Sequence, residues 1–201
     1  MMQDVQAFLR QLSPALVVDV ETGGLDPSTA PILEVAVGVV LDGYLGDVLR
    51  WRVLPYADAP IDPEAVALVG FTGTAGWARQ GAVSEEEALG QLDQHLRGFP
   101  AHRAFTWIGH NTPFDRAMLR AASARAGVRF LGEACGHRDI DTMAIATVAQ
   151  ATGIVSSRSL EALTTAAGLR RKEPRIHRAD EDVRLTWAVL GWLLAHLRWV
   201  P

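Results

Sequence analysis

The chain lacks the marks of several protein classes. Its 201 residues include one cysteine, Cys135, so no intramolecular disulfide framework can form. The formal net charge is −4, which excludes a polycation that coats nucleic acid through bulk electrostatics. A polyanionic partner would therefore need local basic patches or bound cations. Charged residues are only 21% of the chain and hydrophobic residues 49%, a balance that excludes extended disorder. Nowhere does an apolar run reach the ~18 residues needed to cross a bilayer. The N-terminal MMQDVQAFLRQLSP carries Asp4 where a signal peptide would be positive. These absences predict a soluble, cytoplasmic protein with no membrane partner. Without internal repeats, low-complexity tracts or long linkers, one domain over residues 1–201 is expected, large enough for a sizeable core.

What is present centres on LVVDVETGGL, Leu16 to Leu25. Leu16-Val17-Val18 reads as a strand buried on both faces. Asp19 and Glu21 follow, and residues i and i+2 of an extended chain share a face. Paired carboxylates at the end of a buried strand repel each other and are costly to desolvate, and a divalent cation is the simplest compensation. If the strand instead ends at Val18, both acids are solvated loop residues.

The remaining elements follow from period and punctuation. Val5, Phe8, Leu9 and Leu12 predict a short amphipathic helix over 3–12, stopped before Pro14. Ile32 to Val40 is the strongest strand signal. Asp42-Gly43 is a turn, and Val48 to Leu54 returns as a third strand of an antiparallel meander. Asp62-Pro63 opens a helix through Val69, and Ser84-Glu85-Glu86-Glu87 caps one reaching Arg97. Phe105 to Gly109 is a fourth strand. Helices are expected over Pro113–Ala126, Asp141–Gln150, Leu160–Ala167 and Ala179–Trp199. In the last, Val183, Trp187, Leu190, Leu194 and Leu197 form a core-facing stripe. The order of elements predicts a mixed α/β domain.

Three more stretches place acids or histidines suggestively, and each also has an ordinary structural role. In Gly109-His110-Asn111-Thr112-Pro113-Phe114-Asp115, the Thr112…Asp115 spacing suits a helix start, and His110 and Asn111 suit loop hydrogen bonding. In His177-Arg178-Ala179-Asp180-Glu181-Asp182, the acids suit a helix macrodipole. The preceding basic segment, from Arg170-Arg171-Lys172 through Arg175, suits a solvated loop or a phosphate-facing patch. Asp139-Ile140-Asp141-Thr142 reads mainly as a helix cap. A zinc site built on Cys135 and His137 lacks paired ligand spacing.

Taken in order, Asp19-x-Glu21, His110-Asn111-x-x-Phe114-Asp115 and His177-x-x-x-x-Asp182 resemble the DEDDh family of 3′–5′ exonucleases. Within it the likeness is to members of the type of the proofreading epsilon subunit of bacterial DNA polymerase III and of RNase T. It runs from about Leu16 to Leu190 and takes in Ile32-Leu33-Glu34-Val35, Asp141-Thr142 and Ser159-Leu160-Glu161-Ala162-Leu163.

The resemblance implies an RNase H-like fold, a five-stranded mixed sheet flanked by helices with the first strand central. Residues near Gly136 to Ile140 are the best candidate for the fifth strand. It makes Asp19, Glu21, Asp115 and Asp182 the ligands of two divalent ions, Mg²⁺ or Mn²⁺, and His177 the general base. Thr22, Leu25, Asn111 and Phe114 match substrate-contacting positions. Apart from the resemblance, an acidic chain would need arginines such as Arg116, Arg171 and Arg175 to hold the rest of the strand. Hard divalent ions suit carboxylate oxygens, and a base that titrates near neutrality suits water activation. The implied reaction releases nucleoside 5′-monophosphates stepwise from a free 3′ end. DNA, single-stranded, is the favoured substrate; an RNase T- or oligoribonuclease-like exoribonuclease and a non-catalytic nucleic-acid- or polymerase-binding module are the alternatives. Homodimerisation and polymerase association stay open. The chain departs from the pattern at Val69-Gly70, where epsilon-like members carry His-Gly at the edge of the substrate site.

Overall fold

The computed structural model describes residues 2–99, 105–170 and 176–197. Five strands, β1 (Ala15–Thr22), β2 (Ile32–Leu41), β3 (Tyr44–Arg52), β4 (Phe105–Gly109) and β5 (Cys135–Asp141), form one sheet in the order β3-β2-β1-β4-β5. β1 runs antiparallel to β2, and β2 to β3, whereas β1–β4 and β4–β5 are parallel. The first strand is therefore central, and the expected fifth strand exists, one residue longer at each end than anticipated.

The third strand departs most from expectation, starting four residues earlier and ending at Arg52, two residues before Leu54. β3 begins at Tyr44, not Val48, because Asp42 and Gly43 both sit at positive φ (52° and 78°) and close a two-residue hairpin. That turn pairs Leu41 directly with Tyr44, so the two strands are joined by Asp42 and Gly43 alone.

Three of the helices cover the sheet. α4 (Glu85–Arg97) and α5 (Thr112–Ala126) lie on one face, where Leu16, Val18 and Val20 meet Leu89, Leu92, Met118 and Leu119. α8 (Ala179–His196) lies on the other, with Ala15 and Val17 against Val183 and Leu190. α1 (Met2–Gln11) brings Leu9 to that second core. β1, like β2 and β4, touches both cores, and its residues Ala15 to Val18 are at most 1% exposed. Large-to-small changes in such a position cost about 2–5 kcal/mol, so β1 is rigidly held before its polar end begins.

The smaller elements are α2 (Pro63–Val69), α3 (Thr74–Arg79), α6 (Thr142–Ala151), α7 (Leu160–Ala166) and a 3₁₀ turn over Leu131–Ala134. Asp62 caps α2 through its carboxylate, which accepts the Glu64 N–H at 2.8 Å. α3, absent from the sequence expectation, buries Trp77, whose indole N–H donates to the Leu33 carbonyl at 3.2 Å. Val69 is buried with Leu33 and Trp77, so this departure from the epsilon-like pattern is a core residue. Among the described residues no helix is long and apolar enough to cross a membrane.

Candidate active site

The site is built where β1 outlasts its neighbour. β4 pairs with β1 only as far as Val17 opposite Ile108, then ends at Gly109. A side chain at Gly109 would meet Thr112 Cγ2 at 2.9 Å, so glycine permits the tight exit. Asn111 follows in the left-handed conformation (φ 72°, ψ 52°), a region that Asn tolerates better than most residues. The first turn of α5 is thereby set beside the unpaired edge of β1. There Asp115 Oδ1 accepts the Val20 N–H at 3.1 Å. Asn111, not Thr112, is the N-cap of α5, and its side chain makes no capping bond. Its own N–H donates to Asp141 Oδ1 at 2.9 Å, while that same oxygen accepts Met143 N–H and caps α6.

Asp115 is 3% exposed. Burial pushes its carboxyl well above the usual range, and the Val20 and Asp115 N–H groups offset only part of that. Asp19 and Glu21 flank Val20 and point to the opposite face, towards α8. Their positions alternate half-buried with buried Val20 and Thr22, so both acids belong to the strand and not to a solvated loop.

α8 supplies the rest. Asp182, 4% exposed, sits in its first turn, and His177 precedes the helix. His177 Nδ1 is 3.5 Å from Asp182 Oδ2, and the His177 N–H donates to the Leu68 carbonyl at 2.8 Å. One ligand atom from each of Glu21, His177 and Asp182 falls within 4.8 Å of the others. A cavity of about 350 Å³ brings together Asp19, Glu21, Asp115, His177, Asp182 and Phe114, with Met143, Ser159, Leu160 and Glu161 completing its wall. The donor set is almost entirely carboxylate oxygen, which fits a hard divalent cation. Cys135 and His137 belong to no metal-competent group of the described residues.

The other expected residues fall differently. Thr22 is 8% exposed and its hydroxyl donates to the Gly24 carbonyl at 2.7 Å, shaping the turn after β1. Leu25, 80% exposed, stands on the loop beyond, and Thr22, Leu25 and Asn111 lie outside the cavity lining. The Arg116 guanidinium is held by Asp139 at 2.6 Å and lies over the Trp107 ring, 4.6 Å from its centroid. Arg171, Lys172, Arg175 and Trp199 lie outside the described residues.

His110, which by sequence suits a loop hydrogen bond, also lines the cavity. His110 Nδ1 is 2.9 Å from Thr142 Oγ1, and that hydroxyl donates to the Gly109 carbonyl at 3.0 Å. Nδ1 is therefore the protonated nitrogen, and Nε2 carries the lone pair. Burial pushes the His110 imidazole below its ordinary pKa, against the opposing charges of Asp141 and Asp182. His110 thus brings an imidazole that resists protonation to the wall of an acidic cavity.

The sheet order, with an acid-bearing central strand, is that of an RNase H-like α/β domain. The sequence narrows this further: the profile of the RNase T exonuclease family matches residues 16–190, and the chain belongs to that exonuclease family. Ribonuclease T of Yersinia enterocolitica is 34% identical over 123 residues, covering 57% of this chain and 56% of the relative. Ribonuclease T of Escherichia coli K12 is 35% identical over the same length, again 57% of this chain and 56% of the relative. The aligned part thus spans about half the length of these curated relatives. Among solved structures, E. coli exonuclease I in a zinc-bound complex with single-stranded DNA superposes with a TM-score of 0.75 at 20% identity, covering 92% of this chain and 41% of that one. A moderately thermophilic exonuclease I from Methylocaldum szegediense gives 0.73 at 21%, covering 91% and 40%. At such identity the superpositions speak for the fold.

Proposed function

We propose that the protein is a metal-dependent 3′–5′ exonuclease that hydrolyses the terminal phosphodiester of single-stranded DNA and releases nucleoside 5′-monophosphates. The observation that carries this reading is the convergence of Asp19, Glu21, Asp115, His177 and Asp182 on one cavity from β1, α5 and the start of α8.

Asp19, Glu21, Asp115 and Asp182 would hold two divalent ions, Mg²⁺ or Mn²⁺. When bound, such ions offset the charge of the carboxylates and of the phosphodiester and favour deprotonation of water. Every other part of the task falls to the chain. Asp182 faces Nδ1 of His177 and orients the imidazole, leaving Nε2 to take the proton from the attacking water. The water oxygen bonds to phosphorus as the bond to the 3′ oxygen breaks, and that oxygen leaves with the shortened strand. Phe114 offers an aromatic surface to the terminal base.

Exonuclease I, the neighbour in fold, is seen with single-stranded DNA, which supports DNA as substrate. The relatives of higher identity are ribonucleases T, and this favours an exoribonuclease as the second reading. The test is digestion of matched 5′-labelled single-stranded DNA, double-stranded DNA and RNA with Mg²⁺, with EDTA as control. A ladder shortening from the 3′ end, silenced by EDTA and restored by added metal, is expected with single-stranded DNA as the best substrate. Faster cutting of RNA transfers the reading to an exoribonuclease. Absence of metal-dependent mononucleotide release from all three overturns it.

A further inference from the structure

β2 is apolar from Ile32 to Leu41 apart from one residue, Glu34, which is 1% exposed. An apolar side chain there would serve the sheet. A carboxylate buried at that depth is costly unless it is paired and hydrogen-bonded. Its partners identify the arrangement. Glu34 lies between Glu21 of β1 and Arg52 of β3 in the sheet register. Glu34 Oε1 contacts Arg50 at 3.3 Å and the Arg52 Nε at 3.4 Å, and Oε2 accepts the Ala179 N–H at 3.2 Å.

That last bond answers a deficit in α8. The first N–H groups of a helix have no intrahelical acceptor. The N-cap of α8 is Arg178, a side chain with no acceptor atom, and it makes no capping bond. Glu34 supplies the acceptor from 145 residues away. The bonded residue, Ala179, stands between His177 and Asp182. Arg50 extends the clamp, reaching Asp180 Oδ1 at 3.3 Å as well as Glu34. Beneath the segment entering α8 is a cavity of about 180 Å³ lined in part by Glu34, Arg52, Gln80, Ile176 and Arg178. Ala179 itself packs into the second core, and the bonds from Glu34 and Arg50 add direction to that packing.

We propose that Glu34 is the positioning residue of this site, holding His177 and Asp182 in register with Glu21 by capping α8 from the adjacent strand. The inference rests on the exonuclease reading for its kinetic consequence but not for its structural one. Burial pushes the Glu34 carboxyl up, while Arg50, the Ala179 N–H and Arg52 act to keep it charged.

The test compares the wild type with Glu34→Gln and Glu34→Ala. Hydrogen–deuterium exchange on the metal-free proteins reads the first turn of α8, and steady-state digestion of a labelled oligonucleotide reads kcat and KM. Glu34→Ala should speed exchange at residues 179–182 while β1 and β4 stay protected. Glu34→Gln, which keeps a neutral acceptor oxygen, should fall between. kcat should drop by the ~10–100-fold typical of lost outer-shell support, with KM unchanged. Wild-type exchange and wild-type kcat in both variants would overturn the inference, as would faster exchange with kcat unaltered. Should Glu34→Ala fail to fold, Glu34→Gln decides the matter by the same two readouts. A wild type that cuts nothing defeats the proposed function, and the exchange measurement then still decides whether Glu34 caps α8.

Discussion

Asp115 Oδ1 accepts the Val20 N–H at 3.1 Å, so a helix carboxylate seals the strand edge that β4 leaves open. The same side chain thus has a backbone partner and a place in the cavity. The two roles can be separated. Asp115→Asn keeps an oxygen acceptor for Val20 and should preserve the melting transition while abolishing metal-dependent cleavage. Asp115→Ala leaves a buried N–H without its acceptor and should cost a further ~1–3 kcal/mol. Thermal melts of the two variants beside an activity assay check this; equal stability would show that the bond contributes nothing to the fold.

Asp19 is half-buried at the polar end of a strand whose other half is core. Asp19→Ala should therefore fold and melt close to the wild type yet release no mononucleotides with Mg²⁺. Unchanged turnover would remove Asp19 from the metal-binding set.

The His177 side chain is 39% exposed, and the residue makes its ordered backbone bond through its own N–H, which any residue but proline supplies. Truncation should thus leave the fold intact. His177→Ala is expected to lower kcat by the ~10²–10⁴ of a lost general base. Loss of the melting transition in that variant would assign the residue to structure instead.

Burial pushes the Cys135 thiol up to about 12, with Arg116 lowering it and Asp139 raising it. In the unfolded chain a thiol titrates near ~8.5. The folded state therefore binds the extra proton above that value, so this contribution to stability is present below pH ~8.5 and is lost as pH rises towards 12. Cys135→Ala should flatten the alkaline loss of stability measured by urea denaturation. Iodoacetamide should label native Cys135 slowly at pH 8 and rapidly in urea; fast native labelling would contradict the burial.

The parts of this molecule that were legible in the sequence are those set by local pattern. Asp19 and Glu21 announced themselves because period two fixes their common face, and the caps at Asp62 and Ser84 were visible because the capping residue is a neighbour in sequence. Asp115 and Asp182 were legible only through the order of motifs, since each also suits a helix start. Other features depended on distant partners. α3 begins at Gly73 (φ 83°) with no side-chain cap, and its anchor Trp77 bonds to Leu33, 44 residues away. Glu34 looked like one residue of a strand motif until Ala179 and the two arginines of β3 were beside it. His110 required Thr142 for its tautomer and orientation.

The division of the site among three separate segments has a consequence for how the protein fails. α8 is both a slab of the second core and the carrier of Asp182, with His177 at its threshold. Should that helix detach, Asp19, Glu21 and Asp115 would stay in place but Asp182 and His177 would be lost together. On the proposed roles of Asp182 and His177, partial unfolding would then yield an inert protein, not an indiscriminate one. If the protein is the exonuclease proposed above, α8 would act as a safety catch.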